Sequence, residues 1–356
     1  MFNQRYQDRS VFVTGHTGFK GSWLALWLQQ LGAQVYGYSL PADTPAAHAL
    51  ALGLGHPQTL ADIRDAAAVQ TAMAAAAPEI VFHLAAQPLV LTSYQDPLTT
   101  WQTNVQGTAN VLEAARHVPS VRAVVVITTD KCYENREWPW GYRELDALGG
   151  HDPYSASKAA AELVASSYRA SFSLRPGMPN LQIATARAGN VIGGGDWAPY
   201  RLIPDIARAA ATGATVDIRN PLAIRPWQHV LESLSAYLLI GQHLLEENAA
   251  VASAWNVGPS DDDIASVADV LGQMQAYWPA MQWQKVGAEA HETNALRLDS
   301  SRLRQGLAWR PVWRLAQTLG HTAQWYQAWQ GGELISNIQL QAYLDDARAA
   351  GLGWAQ

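Results

Sequence analysis

A short apolar run, Ser10-Val11-Phe12-Val13-Thr14, stops at a glycine and gives way to Gly15-His16-Thr17-Gly18-Phe19-Lys20-Gly21. Beyond it, Ser22 to Leu31 places apolar residues at helical spacing, and Gly32 ends the run. A buried strand, a glycine turn and a helix in that order leave few folds open. One glycine makes the tight turn, a second lets the backbone approach a pyrophosphate, and a third lets helix and strand pack closely. The helix N-terminus then faces negative charge. The spacing is GxxGxxG rather than the more common GxGxxG. In this setting it predicts a dinucleotide site, with Gly15, His16, Thr17, Gly18, Phe19, Lys20 and Gly21 as cofactor-binding residues.

The alternation continues down the chain. Val35–Leu40, Glu79–Leu84, Arg122–Thr128 and Leu181–Arg187 read as strands. Ala66–Ala77, Thr99–His117 and Ser155–Tyr168 read as the helices between them. This order predicts an α/β protein built on a Rossmann-type, doubly wound parallel sheet. From about Gly189 the rhythm breaks, with Gly193-Gly194-Gly195, Pro199, Pro204, Pro221 and Pro226 marking irregular loops. Helical patterns return at Leu231–Glu247, Ile264–Tyr277 and Leu315–Trp329. We expect a dinucleotide-binding domain over 1–188, with a return segment at about 226–258. A smaller, mixed α/β C-terminal substrate-binding lobe is expected over 189–225 and 259–356.

Composition narrows the class. With 49% hydrophobic and 15% charged residues over 356 positions, the chain can bury a large core. A net charge of −6 without a basic run offers nucleic acid no electrostatic footprint. No apolar run reaches the length of a spanning helix, so no membrane partner is expected. One cysteine, Cys132, suits a reducing compartment, and the expected location is cytoplasmic. The ten histidines show no metal-ligand spacing, and no metal is expected. The fifteen tryptophans are expected mostly in packing, some at a subunit interface.

Tyr154-Ser155-Ala156-Ser157-Lys158 places a phenol and an ammonium on one helix face. A neighbouring ammonium favours the phenolate, so Tyr154 can act as a general base near neutral pH. The strand ending at Thr128-Thr129-Asp130-Lys131 delivers a hydroxyl, Thr129, to the sheet edge where sites form. The end of the second strand, Tyr36-Gly37-Tyr38-Ser39-Leu40, carries neither the carboxylate that holds an adenine ribose nor an arginine for a 2′-phosphate. That rule leaves NAD and NADP open; NAD is the expected cofactor.

With these motifs in this order, the chain resembles the extended short-chain dehydrogenase/reductase family across nearly its whole length. Asp62-Ile63 resembles the family's adenine-contacting segment, Leu84-Ala85-Ala86-Gln87 its cofactor-lining strand end, and Asn104 its structural asparagine, and the resemblance implies all of these, with Tyr154 and Lys158, as cofactor-binding residues. The resemblance implies a catalytic triad of Thr129, Tyr154 and Lys158. It narrows to the sugar-nucleotide 4,6-dehydratases on Thr14–Trp23, Thr129–Asn135, Asn190–Trp197 and Arg225–Val230. Dehydration needs two further proton-handling groups, and the Asp130-Lys131 pair is implied for them. Relatives acting on dTDP-glucose place an Asp-Glu pair there. Asp130 is implied as the acid at the C6 oxygen. Lys131 is either the base at C5 or a cation that holds the enolate or orients Asp130.

The Asp-Lys pair implies CDP-glucose as the small-molecule substrate and a deoxysugar pathway of the O-antigen type. Its diphosphate calls for cations, and Arg225 leads the candidates. Arg201 and Arg219 are either ligands or structural ion-pair partners. Gln87, Asn190 and His229 complete the expected substrate-binding set. Tyr200 stands where the family pattern carries an acidic residue. A homodimer or higher homo-oligomer is expected through the helices Thr99–His117 and Tyr154–Tyr168. Two alternatives stay open: a 4,6-dehydratase or 4-epimerase of a dTDP-, UDP- or GDP-sugar, and a non-catalytic NAD(P)-sensing regulator on the same fold.

Overall fold

A computed structural model describes residues 1–173, 180–287 and 293–356. Its centre is a seven-stranded sheet in which every neighbouring pair is parallel. The strands are β1 (Ser10–Thr14), β2 (Gln34–Ser39), β3 (Gln58–Leu60), β4 (Ile80–His83), β5 (Ala123–Thr129), β6 (Gln182–Ala188) and β7 (Ala254–Val257). They lie in the order β7-β6-β5-β4-β1-β2-β3. The chain therefore reverses direction across the sheet between β1 and β4. Ligands of doubly wound sheets bind outside the carboxyl ends of the strands at that switch point.

Both faces of the sheet are buried, which explains why its strands read as continuous apolar runs. Val11 and Val13 face one core with helix α1 (Phe19–Gln30), while Phe12 faces the other. The second face is covered by α2 (Ala66–Ala76), α3 (Gly107–His117) and α4 (Pro153–Phe172). Helix α1 buries Gly21 through Leu28 without a break, which its lack of charge after Lys20 permits. Helix α4 starts sharply because Pro153 sits in its first turn and Asp152 accepts from the Ser155 amide at 2.9 Å. A cap of this kind contributes about 1 kcal/mol.

Past β6 the chain builds a second layer. It contains α5 (Leu202–Thr212), a parallel pairing of Thr215–Ile218 with Gln282–Lys285, α6 (Val230–Leu245), α7 (Leu315–Gln330) and α8 (Ser336–Ala349). Helix α6 packs under the sheet, and β7 adds to the edge of β6. Tryptophans weld the layers. Trp23 donates to the Gly194 carbonyl at 2.9 Å, and Trp197 packs on Trp325, Tyr326 and Trp329.

Some elements differ from the expectation. Strand β3 and helix α8 carry too little periodicity to be read in advance, and the amphipathic α5 went unread among the surrounding prolines and glycines. The helix expected over Ile264–Tyr277 spans Val267–Met274, because Ser266 and Asp269 form a reciprocal cap that sets its start. The stretch Thr99–His117 is helical, but Gln102–Gln106 widens into a π turn.

Candidate active site

A single cleft of about 2020 Å³ opens at the carboxyl ends of the strands. Sites for one drug-sized ligand run roughly 300–1,000 Å³. This one has room for two large ligands side by side.

One end is the glycine turn. Gly15 has φ +75°, and a Cβ there would lie 2.7 Å from the Ala85 amide nitrogen. A Cβ on Gly21 would lie 2.0 Å from the Gly15 carbonyl oxygen. The turn is thus a cradle that only bare backbone can form, opening onto the N-terminus of α1. Thr17, Phe19, Lys20, Ile63, Leu84, Ala85 and Ala86 line the cleft beside it. At the β2 end, Ser39 and Thr17 hydroxyls pair at 2.6 Å where a carboxylate often stands. Asp62 also lines the cleft, paired with Arg64 at 2.6 Å, and that hydrogen bond holds its carboxyl below the usual range. These residues fit a dinucleotide.

Three expected ligands point elsewhere. The His16 side chain is buried; its Nε2 meets Gln58 Oε1 at 2.7 Å, and its ring rests against Gly37. Only its backbone belongs to the turn. Asn104 is buried behind the cleft, where it accepts from the Gln87 amide at 2.8 Å and donates to the Gln87 carbonyl and Ser157 Oγ. It braces the Gln87 loop rather than facing a cofactor. His229 is fully buried between Trp23 and Trp313, and its Nδ1 accepts from the Leu231 amide at the start of α6. It caps a helix and does not reach the cleft. Gln87 does line the cleft, but its amide is engaged with Leu89 and Thr100.

The middle of the cleft collects Thr129, Asp130, Lys131, Tyr154 and Lys158. Thr129 Oγ1 donates to Asp130 Oδ1 at 3.0 Å. Asp130 is buried, and among the described residues its Oδ2 has no hydrogen-bond partner. Burial pushes its carboxyl up, against the pull of Lys131, Thr129, Arg225 and Lys20. The net direction favours the protonated form of this side chain. Lys158 donates to the Ile127 carbonyl at 3.2 Å, and burial brings its amine down to about 8. Burial raises the Tyr154 phenol to about 12, even though a hydrogen bond with Thr129 and the charge of Arg201 pull it down. The net direction is thus upward, opposite to the lowering expected from the neighbouring ammonium, with desolvation its largest cause.

The far end holds Asn190, Arg201, Arg219 and Arg225. Arg201 pairs with Asp196 at 2.8 Å. Arg225 donates to the carbonyls of Ile224 and Thr293. Sequence reasoning missed the wall formed by Ala207, Arg208, Ala211, Thr215, Asp217 and Trp329. The Gly213 break after an amphipathic stretch was the available signal. It also passed over lysine usage: the chain has four lysines, and Lys20, Lys131 and Lys158 all line this cleft. Burial brings Lys20 down to about 7.

Residues 11–258 match the NAD dependent epimerase/dehydratase family, and the chain belongs to that family. It is 49% identical to a CDP-glucose 4,6-dehydratase of Salmonella typhimurium, over 95% of this chain and 97% of that protein. A dTDP-glucose 4,6-dehydratase of Streptomyces griseus is 28% identical over 89% of this chain and 93% of its own. Among solved structures, a Streptomyces venezuelae dTDP-glucose 4,6-dehydratase with NAD bound superposes with a TM-score of 0.79. It is 24% identical, covering 90% of this chain and 98% of that one. Among the described residues, no helix is long and apolar enough to cross a membrane, and no group of three or more His, Cys, Asp or Glu could hold a metal.

Proposed function

We propose that this protein is an NAD-dependent hydro-lyase that converts CDP-glucose to CDP-4-dehydro-6-deoxyglucose and water. The observation that carries the reading is Asp130, a buried carboxyl beside Lys131 with one oxygen unpartnered at the cleft, whose protonated form burial favours. A 4-epimerase has no use for such an acid; loss of the C6 hydroxyl does. The 49% identity to a CDP-glucose 4,6-dehydratase over nearly both chains supports the same conclusion.

Gly15, Gly18 and Gly21 with Asp62 and Ile63 would hold the dinucleotide, whose role when bound is a reversible two-electron acceptor next to the sugar. Tyr154 takes the proton from the C4 hydroxyl, which Thr129 orients. Lys158 steadies the phenolate form of Tyr154 that accepts this proton, which leaves Tyr154 a neutral phenol. The C4 ketone acidifies the C5 proton. Lys131 removes that proton or holds the enolate, while Asp130 protonates the departing C6 hydroxyl. The net reaction loses one water and leaves no net oxidation. Arg225 and Arg201 with Asn190 grip the diphosphate, and Arg219 faces the base or ribose.

In this reading residues 1–188 and 226–258 carry the dinucleotide, and 189–225 with 259–356 carry the nucleotide sugar. The exposed Leu98, Trp101 and Leu163 near the cleft helices suit a homodimer interface. A nucleotide-sugar substrate and the free, buried Cys132 suit the cytoplasm.

The test is incubation of the purified protein with NAD and, separately, CDP-glucose, dTDP-glucose, UDP-glucose and GDP-mannose, followed by mass spectrometry. Loss of one water from CDP-glucose alone is expected. Water loss from another sugar keeps the chemistry and overturns the substrate. No mass change with any of them overturns the dehydratase reading and leaves the epimerase.

A further inference from the structure

Beneath the cleft, and outside the chemistry above, lies a buried, hydrogen-bonded ion pair. Glu162 and Arg187 meet at 2.9 Å, each about 3% exposed. Glu162 stands on α4, one helical turn beyond Lys158 and two beyond Tyr154. One of its carboxylate oxygens accepts from Thr128 Oγ1, and the other accepts from Thr185 Oγ1 at 2.7 Å and from Arg187. Arg187 donates to Tyr133 Oη at 2.8 Å and to the Glu144 carbonyl at 3.1 Å, with its guanidinium 5.0 Å from the Tyr133 ring centre. Tyr133 in turn donates to Asn256 Oδ1 at 2.6 Å.

The placement of these partners matters more than their number. Thr128 is the residue before Thr129. Tyr133 is two residues past Lys131. Arg187 is three residues before Asn190. Glu162 shares a helix with Tyr154 and Lys158. The pair therefore ties together, from behind, each segment that brings a side chain to the middle of the cleft.

Charge points the same way. Lys158 is buried, and it donates to the neutral Ile127 carbonyl. The titratable groups facing it are Glu162 and Tyr154 from α4, Cys132 after β5, His83 from β4 and Lys20 from α1. Burial keeps His83 neutral and the Cys132 thiol protonated. Lys20 is itself a cation when protonated. Glu162 is the carboxylate in that group, and its charge favours the ammonium form against desolvation.

We propose that Glu162, locked by Arg187, is a positioning residue: it supplies the buried negative charge that keeps Lys158 protonated, and through Thr128 it holds the Thr129-Asp130-Lys131 strand end in register with Tyr154. The kinetic part of this inference rests on the role given to Lys158 above; the electrostatic part does not.

Only four lysines are present, so selective [ε-¹³C]lysine labelling gives four resonances, assigned by single Lys→Arg variants. In E162Q the Lys158 titration midpoint, read from its chemical shift in the cofactor-free protein, is expected to fall by about one pH unit, the scale of one lost buried charge. A midpoint that stays in place overturns the proposal. The alkaline limb of the kcat–pH profile is expected to move down with it. If the midpoint falls and that limb stays, the role of Lys158 in the proposed reaction fails while the electrostatic inference stands. T128V keeps the charge and cuts the tether: kcat is expected to drop several-fold with the Lys158 midpoint unmoved, and an unchanged kcat overturns the positioning half. Should E162Q not fold, E162Q/R187M leaves no cation buried alone. There the midpoint still falls, by less, and an unmoved midpoint again overturns the proposal.

Discussion

Replacing Asp130 with asparagine separates dehydration from the steps before it. Asparagine keeps the size of the side chain and an oxygen to accept from Thr129 Oγ1, now 3.0 Å away. What it removes is the acidic proton, whose residence on the carboxyl burial favours. A positioned general acid contributes about 10²–10⁴-fold, or about 3–5 kcal/mol of barrier. Turnover to the dehydrated product is therefore expected to fall by that factor. Tyr154, Lys131 and Lys158 are untouched, so D130N is expected still to exchange the C5 proton for deuterium in D₂O. Its stability should move the other way. A carboxyl whose folded pKa lies above its unfolded value stabilises the fold at low pH and loses that contribution as pH rises through the folded value. Asparagine has no such loss, so D130N is expected to melt higher than the parent at neutral pH. The assay is mass spectrometry of the sugar nucleotide in H₂O and D₂O, with calorimetric melting of both proteins. Parent-like product formation by D130N would falsify the assignment of the acid. Loss of C5 exchange together with turnover would show that Asp130 acts earlier than proposed.

Gly21→Ala puts a methyl 2.0 Å from the Gly15 carbonyl, where backbone cannot yield, so isothermal calorimetry should find NAD binding lost or weakened at least tenfold, about 1.4 kcal/mol; tight binding would mean the turn is not the cradle. Glu232, buried in the first turn of α6 and accepting from the Val312 and Trp313 amides, is raised by desolvation to about 7. Its contribution to stability is complete at low pH and is lost as pH rises through that value, so E232Q should gain melting temperature over the parent at about pH 8 and not at about pH 5; a gain equal at both would refute the ionisation. Leu98→Glu on the exposed apolar face is expected to halve the mass measured by light scattering, and an unchanged dimer mass would place the interface elsewhere.

The parallel sheet was legible because both of its faces are buried, which leaves uninterrupted apolar runs such as Val124-Val125-Val126-Ile127 between clear breaks. The middle of the cleft was legible for a related reason: Thr129 ends a strand and Tyr154 begins a helix, and both ends face the same side of a parallel sheet. The direction of individual side chains was not legible. His16, Asn104 and His229 sit inside recognisable motifs, yet each turns away because a distant partner claims it: Gln58, Ser157 and the Trp23–Trp313 pair. Nor did the phenol of Tyr154 follow from its spacing to Lys158, because desolvation depends on walls from Thr129 to Arg201 that only the folded chain assembles. The outer wall escaped notice because Thr215–Ile218 finds its partner strand far along the chain, at Gln282–Lys285.

The position of β7 bears on how the chain is made. The strand that completes the sheet, Ala254–Val257, follows β6 only after the loops, α5 and α6 have left the ribosome. Throughout that interval β6 presents a bare row of amides and carbonyls along Gln182–Ala188, on a strand buried at every position in the finished protein. Such an edge is a template for another nascent chain. Premature termination anywhere between Ala188 and Ala254 thus leaves a nearly complete sheet with an adhesive border, and the fragments it releases are expected to assemble edge to edge rather than remain as single folded halves.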